Sequence, residues 1–252
     1  MSIVLLTAIG VGGATVIGAL IGFLFKNLSH RASDIILSFA AGVMLCAAVF
    51  GLIEPSLSSG GQFAIPVTLS GIFLGALVLN IIDKLTPHLH KLSGSEPEAH
   101  PEKSARLNKV LLFVMAIAIH NFPEGIAAGV GFGTENISAA LIIAGGIALQ
   151  NIPEGMVIIA PMLAAGLSKK RTLTYALITG FVEVIGTFIG YFAVSISSAI
   201  LPFALAFAGG TMLYVISDEM IPETHAHGTQ SASTYALLIG FSLMLAFDFY
   251  LG

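Results

Sequence analysis

Two hexapeptides carry the residues best suited to chemistry: His120-Asn121-Phe122-Pro123-Glu124-Gly125 and Gln150-Asn151-Ile152-Pro153-Glu154-Gly155. Both read x-Asn-x-Pro-Glu-Gly. On a helix, His120 and Glu124 are four residues apart and Asn121 and Glu124 three, so Glu124 stands between two rows of ligand atoms. Glu154 has the same relation to Gln150 and Asn151. Two glutamates flanked in this way can bridge a pair of neighbouring metal positions. One imidazole, amide oxygens and carboxylates suit zinc, iron(II), manganese, cobalt or cadmium better than copper(I), which favours sulfur. Magnesium usually keeps much of its hydration.

The elements that hold these motifs are membrane spans. The chain has 252 residues, 56% hydrophobic and 10% charged, with mean hydropathy +0.96, whereas soluble domains carry about 25% charged residues. Apolar runs predict an all-α integral membrane protein of eight transmembrane helices in one bundle, over roughly 3–25, 35–54, 63–83, 109–132, 138–162, 172–196, 201–220 and 234–251. Residues 3–25 read as a retained span, without the positive leader of a signal peptide. The whole chain, 1–252, reads as a single transporter domain, with a mobile polar loop over 87–108.

Each motif falls near the middle of its span, the fourth and fifth, where ionisable groups are costly and need a partner or a task. Two carboxylates facing each other at that depth repel, which a divalent cation relieves and protons can relieve when the cation has left. Glu183, near the middle of the sixth span, is a third carboxylate for the set. Pro123 and Pro153 predict kinked fourth and fifth helices and free the carbonyls of Ile119 and Leu149. Interrupted helices at mid-membrane are a common way to build an ion site. All ten Lys and Arg flank the first, third and fifth connections, which the positive-inside rule makes cytoplasmic, with both termini extracytoplasmic. The single Cys46 excludes a thiolate cage, and no basic tract with interleaved aromatics points to nucleic acid.

These motifs, with Glu183 and the segment Asp218-Glu219-Met220-Ile221-Pro222-Glu223 at the end of the seventh span, resemble the ZIP (Zrt/Irt-like) divalent metal transporter family. Gln150, where some members have His, makes the chain similar to the bacterial GufA-like branch. The resemblance covers nearly the whole chain. It implies a binuclear site, one metal on His120, Glu124, Gln150 and Glu154, the other on Asn121, Glu124, Asn151, Glu154 and Glu183. It also implies inward movement of zinc or a related divalent metal as substrate, no cofactor and no enzymatic activity. A homodimer in the lipid of a bacterial inner (plasma) membrane is expected. Spans 1, 4, 5 and 6 would shift as an elevator against spans 2, 3, 7 and 8.

Topology adds further candidates. Glu54 and Asp248 lie near the outer face, as an entrance. Asp218, Glu219, Glu223, His225 and His227 cluster at the cytoplasmic end of the seventh span, as an exit. His88 and His90 stand in the third connection, where they would trap or sense metal. Three rivals remain: a passive metal-selective channel, a metal receptor that does not translocate, and an intramembrane metalloprotease. The last lacks His-Glu-x-x-His, the usual zinc-protease helix motif. The charge asymmetry is directly testable: in a Cys46→Ser background, a cysteine placed at Lys170 is expected to react with an impermeant maleimide only from the cytoplasmic side.

Overall fold

The computed structural model describes residues 1–25, 28–92, 101–133, 136–228 and 230–251, and every regular element among them is helical. The helices are α1 (Ser2–Gly22), α2 (His30–Ser59), α3 (Ala64–Leu92), α4 (Pro101–Gly131), α5 (Ile137–Ala164), α6 (Lys169–Ile196), α7 (Ser198–His225) and α8 (Gln230–Leu251). Seven of them contain segments long and apolar enough to cross a membrane. The eighth, α4, runs for 31 residues. Side-chain caps start three of the helices: Ser29, Asn136 and Ser168 each accept from the backbone N–H three residues on, as short polar residues at this position do.

The third connection differs from the expected loop over 87–108. Helix α3 continues to Leu92 and α4 begins at Pro101, leaving 93–100 outside the described residues. A proline is well suited to a first helical position, where its missing N–H has no partner to lose. Polar composition there coincides with helix on both sides of 93–100. His88 and His90 fall in the last turns of α3, and their side chains lie outside the described residues.

Helices α1–α3 and α6–α8 repeat one another. Residues 12–22 read Gly-Gly-Ala-Thr-Val-Ile-Gly-Ala-Leu-Ile-Gly and residues 180–190 read Gly-Phe-Val-Glu-Val-Ile-Gly-Thr-Phe-Ile-Gly. The contacts repeat with them. A Cβ on Gly18 would lie 2.1 Å from the Ile152 carbonyl, and one on Gly186 would lie 2.5 Å from that of Phe122, the equivalent position of the other motif. Gly22 meets Met156 as Gly190 meets Ile126. Further along, α2 has a wide π-helical turn over Ala47–Ile53 before Pro55, and α7 has one over Ile216–Met220 before Pro222. A proline ring displaces the carbonyl four residues earlier, which accounts for a widened turn ahead of each. Because α1 and α6 are an odd number of spans apart, the two units would cross a membrane in opposite directions, as in the inverted repeats of many transporters.

Glycines sort the helices into two groups. In the first, backbones touch between α4 and α6 at Gly125, Gly129, Gly186 and Gly190, between α1 and α5 at Gly18, Gly22 and Gly155, and between α1 and α6 at Gly12 and Gly180. In the second, they touch between α3 and α7 at Gly75 and Gly210, and between α2 and α8 at Gly42 and Gly240. Across the groups the glycines meet side chains: Gly51 meets Ile143, Gly146 meets Met244, and Gly133 meets Leu201. Small residues that let backbones close up are the main adhesive between helices in lipid. Gly129→Ala, whose Cβ would lie 2.0 Å from the Thr187 carbonyl, is therefore expected to lower stability in detergent by about 1–3 kcal/mol. Gly145→Ala, with nothing within 4 Å, should be neutral or stabilise by up to about 1 kcal/mol; thermal unfolding of the two purified variants distinguishes them.

Candidate functional site

Both motif prolines lie inside helices, Pro123 in α4 and Pro153 in α5. The glycine after each glutamate determines what the motif faces. A Cβ at Gly125 would lie 2.2 Å from the Glu183 carbonyl, and one at Gly155 would lie 2.1 Å from that of Thr15. The first motif is thereby pressed onto α6 at Glu183, and the second onto α1 at Thr15. Asn121, Glu124, Gln150, Asn151, Glu183 and Thr15 are all at most 1% exposed. His120 and Glu154 are partly buried.

The buried set divides into a satisfied half and an unsatisfied half. Glu183 is satisfied: Oε1 accepts from Thr15 Oγ1 at 2.7 Å and from Asn121 Nδ2, while Oε2 accepts from Asn151 Nδ2 at 2.6 Å. The Asn151 amide also reaches the Val11 carbonyl at 3.3 Å. By contrast, both carboxylate oxygens of Glu124, both amide atoms of Gln150 and the Oδ1 atoms of Asn121 and Asn151 are buried and make no well-formed hydrogen bond among the described residues, although the Gln150 amide stands beside Glu124. Buried polar atoms are rarely left so, because the desolvation cost is uncompensated. Glu124 is also within electrostatic range of Glu154 and Glu183. A cluster of oxygens that outnumbers the one free donor in the set, Gln150 Nε2, beside like charges, is suited to a cation.

His120 connects this site to the seventh helix. Its Nε2 lies 2.7 Å from Glu219 Oε1, an ion pair when the imidazole is protonated. Around it a cavity of about 460 Å³ is lined by His120, Glu154, Asp218, Glu219 and Glu223, with apolar walls that include Leu37, Ile117 and Val215. The π-helical turn over Ile216–Met220 brings Asp218 and Glu219 to this cavity. Glu219, placed by topology at an exit, thus reaches a residue of the first motif directly.

Other expected residues stand apart. His225 Nδ1 donates to the Ile221 carbonyl at 2.8 Å. His227 Nδ1 lies 3.1 Å from Asp34 Oδ1, and its ring stacks on His30 with centroids 4.8 Å apart. Neither lines the cavity. Glu54 is exposed and accepts from Ser58 Oγ at 2.9 Å; Asp248 is partly buried in the last turns of α8. Among the described residues, no three His, Cys, Asp or Glu side chains are already gathered as a metal cage. The reason is visible: Glu183 is engaged by amides and His120 by Glu219, so the remaining oxygens around Glu124 belong largely to amides. Sequence reasoning missed Thr15 and Asp34. The repeat of 12–22 in 180–190 was the signal that aligns Thr15 with Glu183; a lone Asp at the foot of α2 gave none.

The ZIP Zinc transporter family model matches residues 87–248. Zinc transporter GufA of Myxococcus xanthus is 40% identical over 248 residues, covering 96% of each chain. Zinc transporter ZIPB of Bordetella bronchiseptica is 38% identical over 246 residues, 95% of this chain and 78% of that one. Zinc transporter ZIP11 of Homo sapiens is 31% identical over 323 aligned positions, 95% of this chain and 94% of that one.

The His120–Glu219 contact joins the two glycine-defined groups of helices, and its coupling is measurable. In a double-mutant cycle of His120→Ala and Glu219→Ala, read by thermal unfolding without added metal, the two losses are expected to be non-additive by about 0.5–3 kcal/mol.

Proposed function

Because this chain belongs to the ZIP zinc transporter family, whose members carry metal across membranes, we propose that it takes up zinc and related divalent ions, among them iron(II), manganese, cobalt and cadmium, through a mid-membrane binuclear site. One position uses His120, Glu124, Gln150 and Glu154; the other uses Asn121, Glu124, Asn151, Glu154 and Glu183. The observation that carries this reading is the group of buried oxygens around Glu124 that no donor satisfies. A divalent cation supplies the missing positive partner and offsets the repulsion among the carboxylates. Carboxylate, amide and imidazole atoms together suit a borderline metal such as zinc.

Release follows the cavity. Once His120 ligates the metal, Glu219 is freed of its partner. Glu219, Asp218 and Glu223 then offer successive weak oxygen ligands toward the basic, cytoplasmic side, with both termini on the other side. Glu54 and Asp248 serve as the outer entrance. His225 and His227, turned to other partners, act at most after the cation has left the cavity, and His88 and His90 remain candidates for sensing it.

Movement of the site as a carrier is supported by the grouping of glycines. Close backbone contacts at glycine tie α1, α4, α5 and α6 together and pair α3 with α7 and α2 with α8, while the glycines at the boundary, Gly51, Gly133 and Gly146, meet side chains. Side chains can re-pack as one body slides past another, whereas close backbone contacts hold each body rigid. Bending at Pro123 and Pro153 sets the ligand rows at one depth, and a homodimer would anchor the second body. A passive channel would need no such division.

Zinc uptake into sealed proteoliposomes tests the reading. Saturable uptake above the protein-free control is expected from the wild type, with at least a tenfold loss in Glu124→Ala, about 1.4 kcal/mol or more of transition-state stabilisation. Undiminished flux in the variant would exclude the site; zinc binding without flux in the wild type would favour a receptor.

A further inference from the structure

We infer that Thr15 is a positioning residue: its hydroxyl, at the place Glu183 occupies in the other three-helix unit, orients the Glu183 carboxylate and through it the two asparagine amides whose oxygens receive the cation. The inference rests on the cation site proposed above and concerns how that site is held ready.

The hydrogen-bond inventory leads there. An ionised carboxylate only accepts, with about four lone-pair positions. Three are used on Glu183, by Thr15 Oγ1, Asn121 Nδ2 and Asn151 Nδ2. An amide that gives its NH2 group to a carboxylate must turn its oxygen away. Both Oδ1 atoms are indeed buried and without a hydrogen-bond partner, while one position on Glu183 Oε2 remains for a metal. Glu183 therefore sets which end of each asparagine the cation meets. Without it the Asn121 amide could rotate and present NH2, which repels a cation, and Asn151 would keep only the longer 3.3 Å bond to the Val11 carbonyl.

Thr15 in turn sets Glu183. Four of the seven buried threonines among the described residues return their hydroxyl to a main-chain carbonyl of their own helix: Thr179 to Ala176, Thr187 to Glu183, Thr211 to Ala208 and Thr224 to Ile221. Thr15 donates instead across the helix pair, to a side chain 168 positions away. Its backbone is held there from two directions. Gly155 packs against its carbonyl, and Gly12, one turn earlier, packs against Gly180. With Thr15 only 1% exposed, water does not compete for the bond. The repeat also explains the residue type. A glutamate at 15 would add a further buried anion to the cluster and supply no donor, whereas a hydroxyl provides a proton where Glu183 needs one.

Initial rates of zinc uptake across a range of zinc concentrations, per folded protein, test this in wild type, Thr15→Val and Thr15→Ser, with Glu124→Ala in parallel. Thr15→Val, nearly isosteric but without the hydroxyl, is expected to raise KM by about 10-fold through loss of one hydrogen bond to a charged group, a larger effect than on the maximal rate. Thr15→Ser, which keeps the donor, should hold KM within about twofold of wild type. An unchanged KM in Thr15→Val overturns the inference, whatever happens to the maximal rate. So does a serine variant as impaired as the valine one. Should Thr15→Val not fold, Thr15→Ala removes the same donor without added bulk and is read identically. If Glu124→Ala retains full flux, the cation site itself is wrong and the inference falls with it. If Glu124→Ala is inactive while Thr15→Val matches wild type, only the role of Thr15 is refuted.

Discussion

Contact between helix backbones at glycine is the constraint on which the rest of this structure depends. In lipid there is little hydrophobic gain in bringing two apolar helices together, so packing and polar contacts must hold them. At Gly125 and Gly155 the approach is so close that a single Cβ would collide with the facing carbonyl. Those two glycines immediately follow Glu124 and Glu154. The same feature that holds α4 to α6 and α5 to α1 therefore places the motif side chains against Glu183 and Thr15. Adhesion and site construction are one event, which is why the polar cluster is so deeply buried.

The site that results is unequal in a useful way. Around Glu183 the donors and acceptors are matched, which holds that side in one geometry. Around Glu124 the acceptors outnumber the donors, leaving a demand for positive charge at a defined place. His120 stands at the margin, tied to Glu219 across the boundary between the two helix groups. Its imidazole therefore links the first motif directly to the seventh helix. The π-helical turn before Pro222 brings the acidic partner within reach, and its counterpart before Pro55 shows that the feature belongs to the repeated unit.

Much of the architecture was legible in the chain itself. Long apolar runs interrupted by basic connections specify spans, because a backbone in lipid must satisfy its own hydrogen bonds as helix. Spacing within x-Asn-x-Pro-Glu-Gly shows which side chains share a helix face, since helical geometry is local. In the third connection, hydropathy says little about where helix stops, since helix runs to Leu92 on one side and from Pro101 on the other. The repeat of residues 12–22 in 180–190 was also present in the letters. It is easily passed over where Gly, Ile and Val recur throughout.

What the sequence by itself determined is the class of protein, the family to which it belongs and which polar residues share one helix face. Those follow from composition, from motif and from periodicity along one helix. Only the tertiary structure decided that Glu183 is held by Thr15 and both asparagines, that His120 pairs with Glu219 while His227 pairs with Asp34, and which glycines bind which helices. Each of those outcomes depends on where two helices cross. A shift of one turn along either axis, about 5.4 Å, would exchange every partner while leaving the hydropathy pattern unchanged.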